Sequence, residues 1–345
     1  MAFKLGNLQV FPHTLNVDFM KSQRIWIGIS VFLTLISVAF IAVHGVNYSI
    51  DFLGGAEVTV TAVDKSITRD SLVKSAESTG VGKVEATTYG SISVNGEQSY
   101  VLRIQRENGK DETSTSKNVD VLVTGLKKNL GEANLRIGSI TNISGKIGRE
   151  EEYKGYMALV LAFIGILIYV SVRFDSRFAP GAVLCLIHDV IIALGFMTAA
   201  GRPFSVTSIA AFLTIVGYSV NDTVIVYDRI RETQLINPRM PLVDVVNRSI
   251  NQTMNRTVLT SATGLVALLV LTFFGGGAIK DFALTMFIGI LVGTYSSIYV
   301  AAPLTIVMDN FLAARGWKKV ASEKAVVEKD PHYIPPVILK KKPVK

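Results

Sequence analysis

Six long runs almost free of charge, at residues 25–43, 156–172, 178–200, 204–227, 257–274 and 282–308, constrain this chain more than any other feature. Each is long enough for a helix rising about 1.5 Å per residue to cross about 30 Å of hydrocarbon. In lipid, only helices and closed barrels satisfy every backbone hydrogen bond, and these runs are too long for barrel strands. The sequence therefore predicts an α-helical polytopic membrane protein with six transmembrane helices. The first run follows Lys21 and Arg24, as the core of a signal peptide would. It is longer than such a core and lacks a small-x-small cleavage site, so it reads as a retained helix.

A net charge of +8 raises the question of nucleic acid, and the placement of the charge answers it. With the N-terminus inside, the short inner segments and the C-terminal tail hold 19 Lys and Arg, and the short outer turns hold only Arg202 and Lys280. That asymmetry is the positive-inside pattern and predicts cytoplasmic termini. The charge orients the protein and does not point to nucleic acid. The single cysteine, Cys185, falls inside the third run, so no disulfide framework is available and the thiol reads as packing.

Between the first two runs lies a polar stretch long enough for a small domain. Residues 49–62 alternate as a strand, and 66–80 open on a Ser or Thr cap and stop at glycine, as a helix does. Residues 81–94 and 99–106 read as a strand pair with Gly96 in the turn, 114–131 as a second helix and 133–144 as a last strand. The order βαββαβ predicts a small α+β ferredoxin-like extracytoplasmic domain. Its 15 acids and 14 bases from Asp51 to Lys154 argue against a polyanion partner. Residues 144–156 join it to the second run as a hinge or an ordinary linker. The boundaries follow: 1–24 cytoplasmic, 25–44 the first helix, 45–154 the domain, 155–310 the remaining helices, and 311–345 a basic tail predicted to be disordered.

The chemistry-bearing residues sit inside the runs. Asp222, in "GYSVNDTVIVYDRIRE", lies six residues before Asp228, about 9 Å deep at helical rise. An ionised carboxylate at that depth costs several kcal/mol unless it is paired, protonated or wetted, which points to function over a structural hydrogen bond. His188 and Asp189 occupy the middle of the third run. Neighbours on a helix point about 100° apart, so one is expected to bond within the bundle while the other faces a polar path; a proton relay and a satisfied buried pair both fit. Arg256 opens the fifth run in "NRTVLTSATG", where it serves either as a basic residue at a helix end or as a partner for Asp222. "GILVG" at 289–293, with Ser296 and Ser297, suggests close helix packing. No phosphate loop, HExxH, Cys/His metal spacing or GxSxG elbow is present, so the sequence predicts neither metal nor cofactor, and an enzyme would lack a nucleophile.

Together, "VDFMK", "IDFLGG", "IHDV", "GYSVNDTVIVYDRIRE", "NRTVLTS" and "IGILVGTYSSIYVAAPL" resemble the SecF family of bacterial protein-export subunits, in order from about Val17 to Asp309. The fourth-helix motif contributes Gly217, Asn221, Asp228 and Arg229 besides Asp222. The resemblance implies kinship with the proton-driven resistance-nodulation-division transporters. It also implies an inner-membrane protein with a periplasmic domain, a SecD-type partner, assistance to the SecYEG channel, room for a YajC-like accessory protein, and unfolded preproteins as substrate. By position, Asp222 and Arg256 correspond to residues implicated in proton passage, and His188 and Asp189 to the family's third-helix pair. The proline- and lysine-rich tail departs from the pattern. Two other classes remain open. A lipid or small-molecule exporter of the same superfamily would be self-sufficient rather than partnered. An intramembrane aspartyl protease would need two carboxylates sharing a water at one depth and a GxGD companion, which is missing.

Overall fold

A computed structural model of the chain describes residues 17–64, 66–82, 84–89, 97–105, 112–174 and 177–316. The turn expected at Gly96 and the tail from 317 onward lie outside the described residues. Helix α1 (Gln23–His44) leads through the short α2 (Ile50–Leu53) into a domain ordered β1 (Gly55–Ala62), α3 (Arg69–Glu77), β2 (Val84–Tyr89), β3 (Gln98–Gln105), α4 (Glu112–Leu130) and β4 (Leu135–Ile143). Then follow α5 (Gly145–Arg173), α6 (Ala179–Ala199), α7 (Val206–Ile236), α8 (Leu242–Phe274), α9 (Gly277–Ser296), a π-helical turn (Ser297–Ala301) and α10 (Ala302–Ala314).

The domain is the expected βαββαβ unit. Its sheet runs β2-β3-β1-β4 with every neighbouring pair antiparallel. Alternation in β1 buries Ala56, Val58, Val60 and Ala62, which meet Leu72 and Ala76 of α3 and Leu122 and Leu126 of α4 in one core. Thr68 caps α3 by accepting from the Ser71 amide while Ser71 returns a bond to the Thr68 amide, a reciprocal box that satisfies two otherwise orphaned donors. Tyr100 is buried in this core and donates its hydroxyl to Ile67 O at 3.3 Å.

Two sequence expectations change here. Residues 49–54 are not the start of β1: Ser49 accepts from the Asp51 amide at 3.0 Å and nucleates α2, which Gly54 ends at φ 78°, a conformation that favours glycine. Nor are residues 144–156 a flexible joint, because from Gly145 they form the first turns of α5. Gly148 sits against the carbonyls of Asp51 and Phe52 so closely that a Cβ would collide with them. The connection is a docked helix, and α2 is what it docks against.

Six helices are long and apolar enough to cross a membrane: α1, the Ile147–Arg173 part of α5, α6, α7, α8, and Gly277–Ala314, the last formed by α9, the π turn and α10. Among these, α6, α7 and the sixth span form the centre, with half of their apolar windows buried, against 11% for α1 and α5. The bundle has two apolar cores. One, at the domain end, gathers Phe52, Met197, Phe204, Phe212 and Met286; the other, at the far end, gathers Phe178, Tyr227, Ile230, Val245 and Ala302. Ion pairs anchor the sixth span at both ends: the half-buried Arg202–Asp281 at 3.0 Å near the domain and the buried Arg177–Asp309 at 2.7 Å at the far end. The domain end is further closed by Ser49 N donating to Phe204 O (2.8 Å), Phe204 N to Asn47 O (2.7 Å) and the Val206 amide to Asp51 Oδ2 (3.2 Å). These bonds seat the stretch around α2 on the start of α7.

Candidate functional site: a polar layer between two apolar cores

Polar side chains from four central helices meet between the two apolar cores. Asp189 on α6 is 0% exposed. Its Oδ2 accepts from Ser219 Oγ of α7 at 2.6 Å and from Ser296 Oγ of α9 at 2.9 Å, and its Oδ1 lies 2.9 Å from His188 Nδ1. Cys185, one turn earlier on α6, donates to Ser296 Oγ at 3.1 Å. Gly293 permits this closeness, since an added Cβ would come 3.1 Å from Ser219 Cβ and 3.5 Å from the Asp189 carboxylate.

Asp222 lies one turn beyond Ser219 on α7 and is 1% exposed. Among the described residues, its Oδ2 is met by Ser261 Oγ of α8 only at 3.5 Å, and its Oδ1 has no hydrogen-bond partner. Thr294 of α9 donates to Ser261 Oγ at 2.7 Å. The contacts close a loop: Asp189 to Ser219, along α7 to Asp222, across to Ser261 and Thr294, then along α9 to Ser296 and back to Asp189. Buried Thr223 and Thr257 hydroxyls beside this loop are also without partners. The layer is saturated at the Asp189 side and under-coordinated at the Asp222 side. The carboxyl that is short of partners is the one whose local bonding changes most when a proton, a water or a charge arrives.

The other predicted residues divide. Arg256 stands exposed on α8, which begins at Leu242, so Arg256 is well inside a helix rather than at its start. Its charge reaches Asp222 electrostatically, but the two form no ion pair among the described residues. His188 turns back onto Asp189 despite the angle between neighbouring positions. Its ring borders a slot beside Ser30, Val31, Thr34, Val300 and Leu304, and among the described residues its Nε2 is unpartnered. Gly217 and Asn221 lie on the exposed face of α7, with open space at Gly217. Asp228 makes an exposed pair with Arg173 at 3.4 Å. Arg229 donates to Gln252 of α8 at 2.6 Å and to Glu232 at 2.5 Å, tying α7 to α8.

Sequence reasoning missed Ser219, Ser261 and Thr294. Their only signal was a hydroxyl inside an apolar run, which many residues here share. It also missed the π turn at Ser297–Ala301, whose Ala301 carbonyl accepts from Tyr227 Oη at 3.2 Å. Such bulges release backbone carbonyls from the helical ladder and recur at functional sites.

Two family models match this chain: "Protein export membrane protein SecD/SecF, C-terminal" over residues 123–310 and "SecD/SecF GG Motif" over residues 39–64. The protein translocase subunit SecF of Rickettsia typhi is 37% identical over 303 residues, covering 88% of this chain and 95% of that protein. The chain belongs to the SecF family. The SecF of Rickettsia prowazekii is 36% identical over the same length. Among solved structures, the translocon-associated membrane protein SecDF from Thermus thermophilus superposes with a TM-score of 0.72 at 34% identity, covering 87% of this chain and 40% of that one. A SecDF in a super-membrane-facing form gives 0.65 at 32% identity over 90% of this chain and 41% of that one. This chain thus spans about two-fifths of each SecDF chain. With its six apolar helices, this SecF-family chain is a multi-pass membrane protein. The GG-motif match covers the end of α1, α2 and β1, the stretch docked on α5 and α7.

Proposed function

We propose that this chain is a membrane subunit of the Sec protein-export machinery. With a SecD-type partner, it uses the proton gradient to promote movement of unfolded preproteins through SecYEG. It sits in the bacterial inner membrane with residues 1–24 and 311–345 in the cytoplasm, the domain at 45–154 in the periplasm, and the bundle made by 25–44 and 155–310. Family membership and the six spans support the export role, and the distribution of Lys and Arg supports the orientation. The exposed face of α7 supports a helical partner: Thr214, Gly217 and Asn221 are polar or small and uncovered on a helix that is otherwise central, as a close-packed neighbouring helix requires.

The observation that carries the coupling is the buried Asp222 carboxyl with Oδ1 bare, Ser261 at 3.5 Å and the Arg256 charge nearby without contact. A proton delivered to Asp222, or an approach of Arg256, changes which arrangement of α7, α8 and α9 is preferred, so proton passage and helix movement are linked. One proton moving through about 100 mV releases about 2.3 kcal/mol, enough to bias a two-state bundle well beyond twofold. The domain follows because the α2 stretch ties it to α5 and α7. His188 and Asp189 hold the opposite side of the layer and, as candidates for proton transfer, act by fixing α6 against α7 and α9.

The decisive experiment replaces Asp222 by Asn, which keeps the shape and cannot ionise, and measures preprotein export together with gradient-dependent proton flux. Both should fall at least about tenfold, corresponding to about 1.4 kcal/mol of lost coupling. Export and flux at the unsubstituted level would sink the proposal.

A further inference from the structure

Where the domain sits on the bundle, the two units enclose a cavity of about 760 Å³. Its walls hold three cations, Arg69 from α3 of the domain and Arg202 and Lys280 from the bundle, against two carboxylates, Glu85 of β2 and Asp281 of α9. Both carboxylates are already engaged. Asp281, 5% exposed, takes Arg202 at 3.0 Å, and Glu85 accepts from Asn47 Nδ2 at 3.1 Å. The cations are not spent in the same way. Arg69 uses its Nε on Ala86 O at 2.6 Å, which leaves its two terminal nitrogens without a hydrogen bond or ion pair among the described residues. Lys280 makes neither, although its charge reaches Asp281. The cavity therefore offers unspent positive charge from two different units.

Its lower edge is different in kind. Phe273 and Phe274 end α8, line the same cavity and are 78% and 77% exposed. They follow a long apolar helix, so they stand where hydrocarbon gives way to water on the domain side. A soluble anion gains nothing from two exposed phenyl rings. A ligand with a phosphate above and an apolar chain below meets both surfaces, and the volume lies within the roughly 300–1,000 Å³ of ordinary ligand sites.

We propose that this cavity binds the phosphate headgroup of an anionic phospholipid from the leaflet on the domain's side, with Lys280 and Arg69 holding the phosphate and Phe273 and Phe274 lying along the acyl chains. Charge-assisted bonds to phosphate are the strong class of hydrogen bond, and the arginine fork suits two phosphate oxygens. Because Arg69 belongs to the domain and Lys280 to the bundle, one phosphate joins the two units at this cavity, where the Arg202–Asp281 pair lies wholly within the bundle. The lipid becomes a removable strut beneath the domain. This inference stands whether or not Asp222 carries protons.

The test uses the full chain with its membrane partner in vesicles of phosphatidylcholine, with or without phosphatidylglycerol, and follows the rate of acylation of Lys280 by an amine reagent together with the lipids retained on extraction. Phosphatidylglycerol should slow Lys280 acylation, and it should be retained over phosphatidylcholine. Lys280→Gln should lower retained phosphatidylglycerol about three- to tenfold, Arg69→Gln added to it should abolish the preference, and Lys280→Arg should keep it. Among the described residues Lys280 makes no ion pair, so its replacement breaks no hydrogen bond or ion pair seen there; the footprint on the unaltered chain needs no variant at all. Equal acylation in both lipid mixtures overturns the proposal, as does equal retention by the double variant. Protection by inorganic phosphate alone assigns the cavity to a free anion, and protection by the partner chain or a bound peptide in pure phosphatidylcholine assigns it to a protein; either result also rejects the lipid.

Discussion

Asp189 and Asp222 occupy neighbouring helices within the same layer, at 0% and 1% exposure, and their surroundings are opposite. Asp189 has both oxygens engaged, by Ser219, Ser296 and His188. Asp222 has one oxygen bare and the other with a single long contact. Equal burial thus goes with unequal bonding. A buried carboxylate supplied with hydroxyls is a structural cross-link among α6, α7 and α9. One denied them is costly to keep and sensitive to whatever approaches it. The contrast separates a residue that holds the bundle together from one on which a motor can act.

That contrast can be broken by measurement. The largest effect is expected for Asp189→Ala, which strands the Ser219 hydroxyl and the His188 Nδ1 and removes the acceptor of Ser296: about 3 kcal/mol of stability, read from denaturant unfolding in mixed micelles. A loss below about 1 kcal/mol would mean that the network is decorative. Next, Ser219→Ala and Ser296→Ala should each cost between about 0.6 and 1.7 kcal/mol, the range for interhelical hydrogen bonds in a bilayer. The double variant should cost more than their sum, because either hydroxyl alone still satisfies the shared Asp189 oxygen and only their joint loss leaves it bare. Ser261→Ala should cost about 0.6 kcal/mol or less, since its bond to Asp222 is long. The smallest loss of stability is expected for Asp222→Asn, which removes a carboxyl short of partners and so leaves stability in the same unfolding assay unchanged or higher. A destabilisation by Asp222→Asn as large as that of Asp189→Ala would erase the distinction and make both residues cross-links.

A second comparison lies in the connections. Residues 144–156, rich in Lys, Glu and Gly, suggest a hinge or a linker, yet from Gly145 they form helix, with Gly148 fitted against the α2 carbonyls. The alternation through 49–62 suggests one strand, yet a serine cap and two glycines divide it into α2 and β1. In the first place local pattern lost to contact with an element distant in the chain; in the second, alternation lost to a local cap.

The chain alone determined its six membrane-crossing helices, because the length of apolar runs reports directly on solvent, and solvent acts residue by residue. It likewise determined the βαββαβ order, since periods of two and 3.6 are local properties of a backbone. It marked Asp189 and Asp222, because a carboxyl in an apolar run is anomalous wherever it points. Only tertiary structure decided which of the two is satisfied. The deciding groups are hydroxyls, and within a span a hydroxyl has two outlets of similar value. Thr198, Thr214 and Ser171 bond the carbonyl one turn back on their own helices, at 3.0, 2.7 and 2.7 Å, whereas Ser219 reaches across to Asp189 and Ser296 does both. Nothing in the order of residues distinguishes these choices, because they depend on which helix stands alongside and how closely glycines such as Gly293 let it approach.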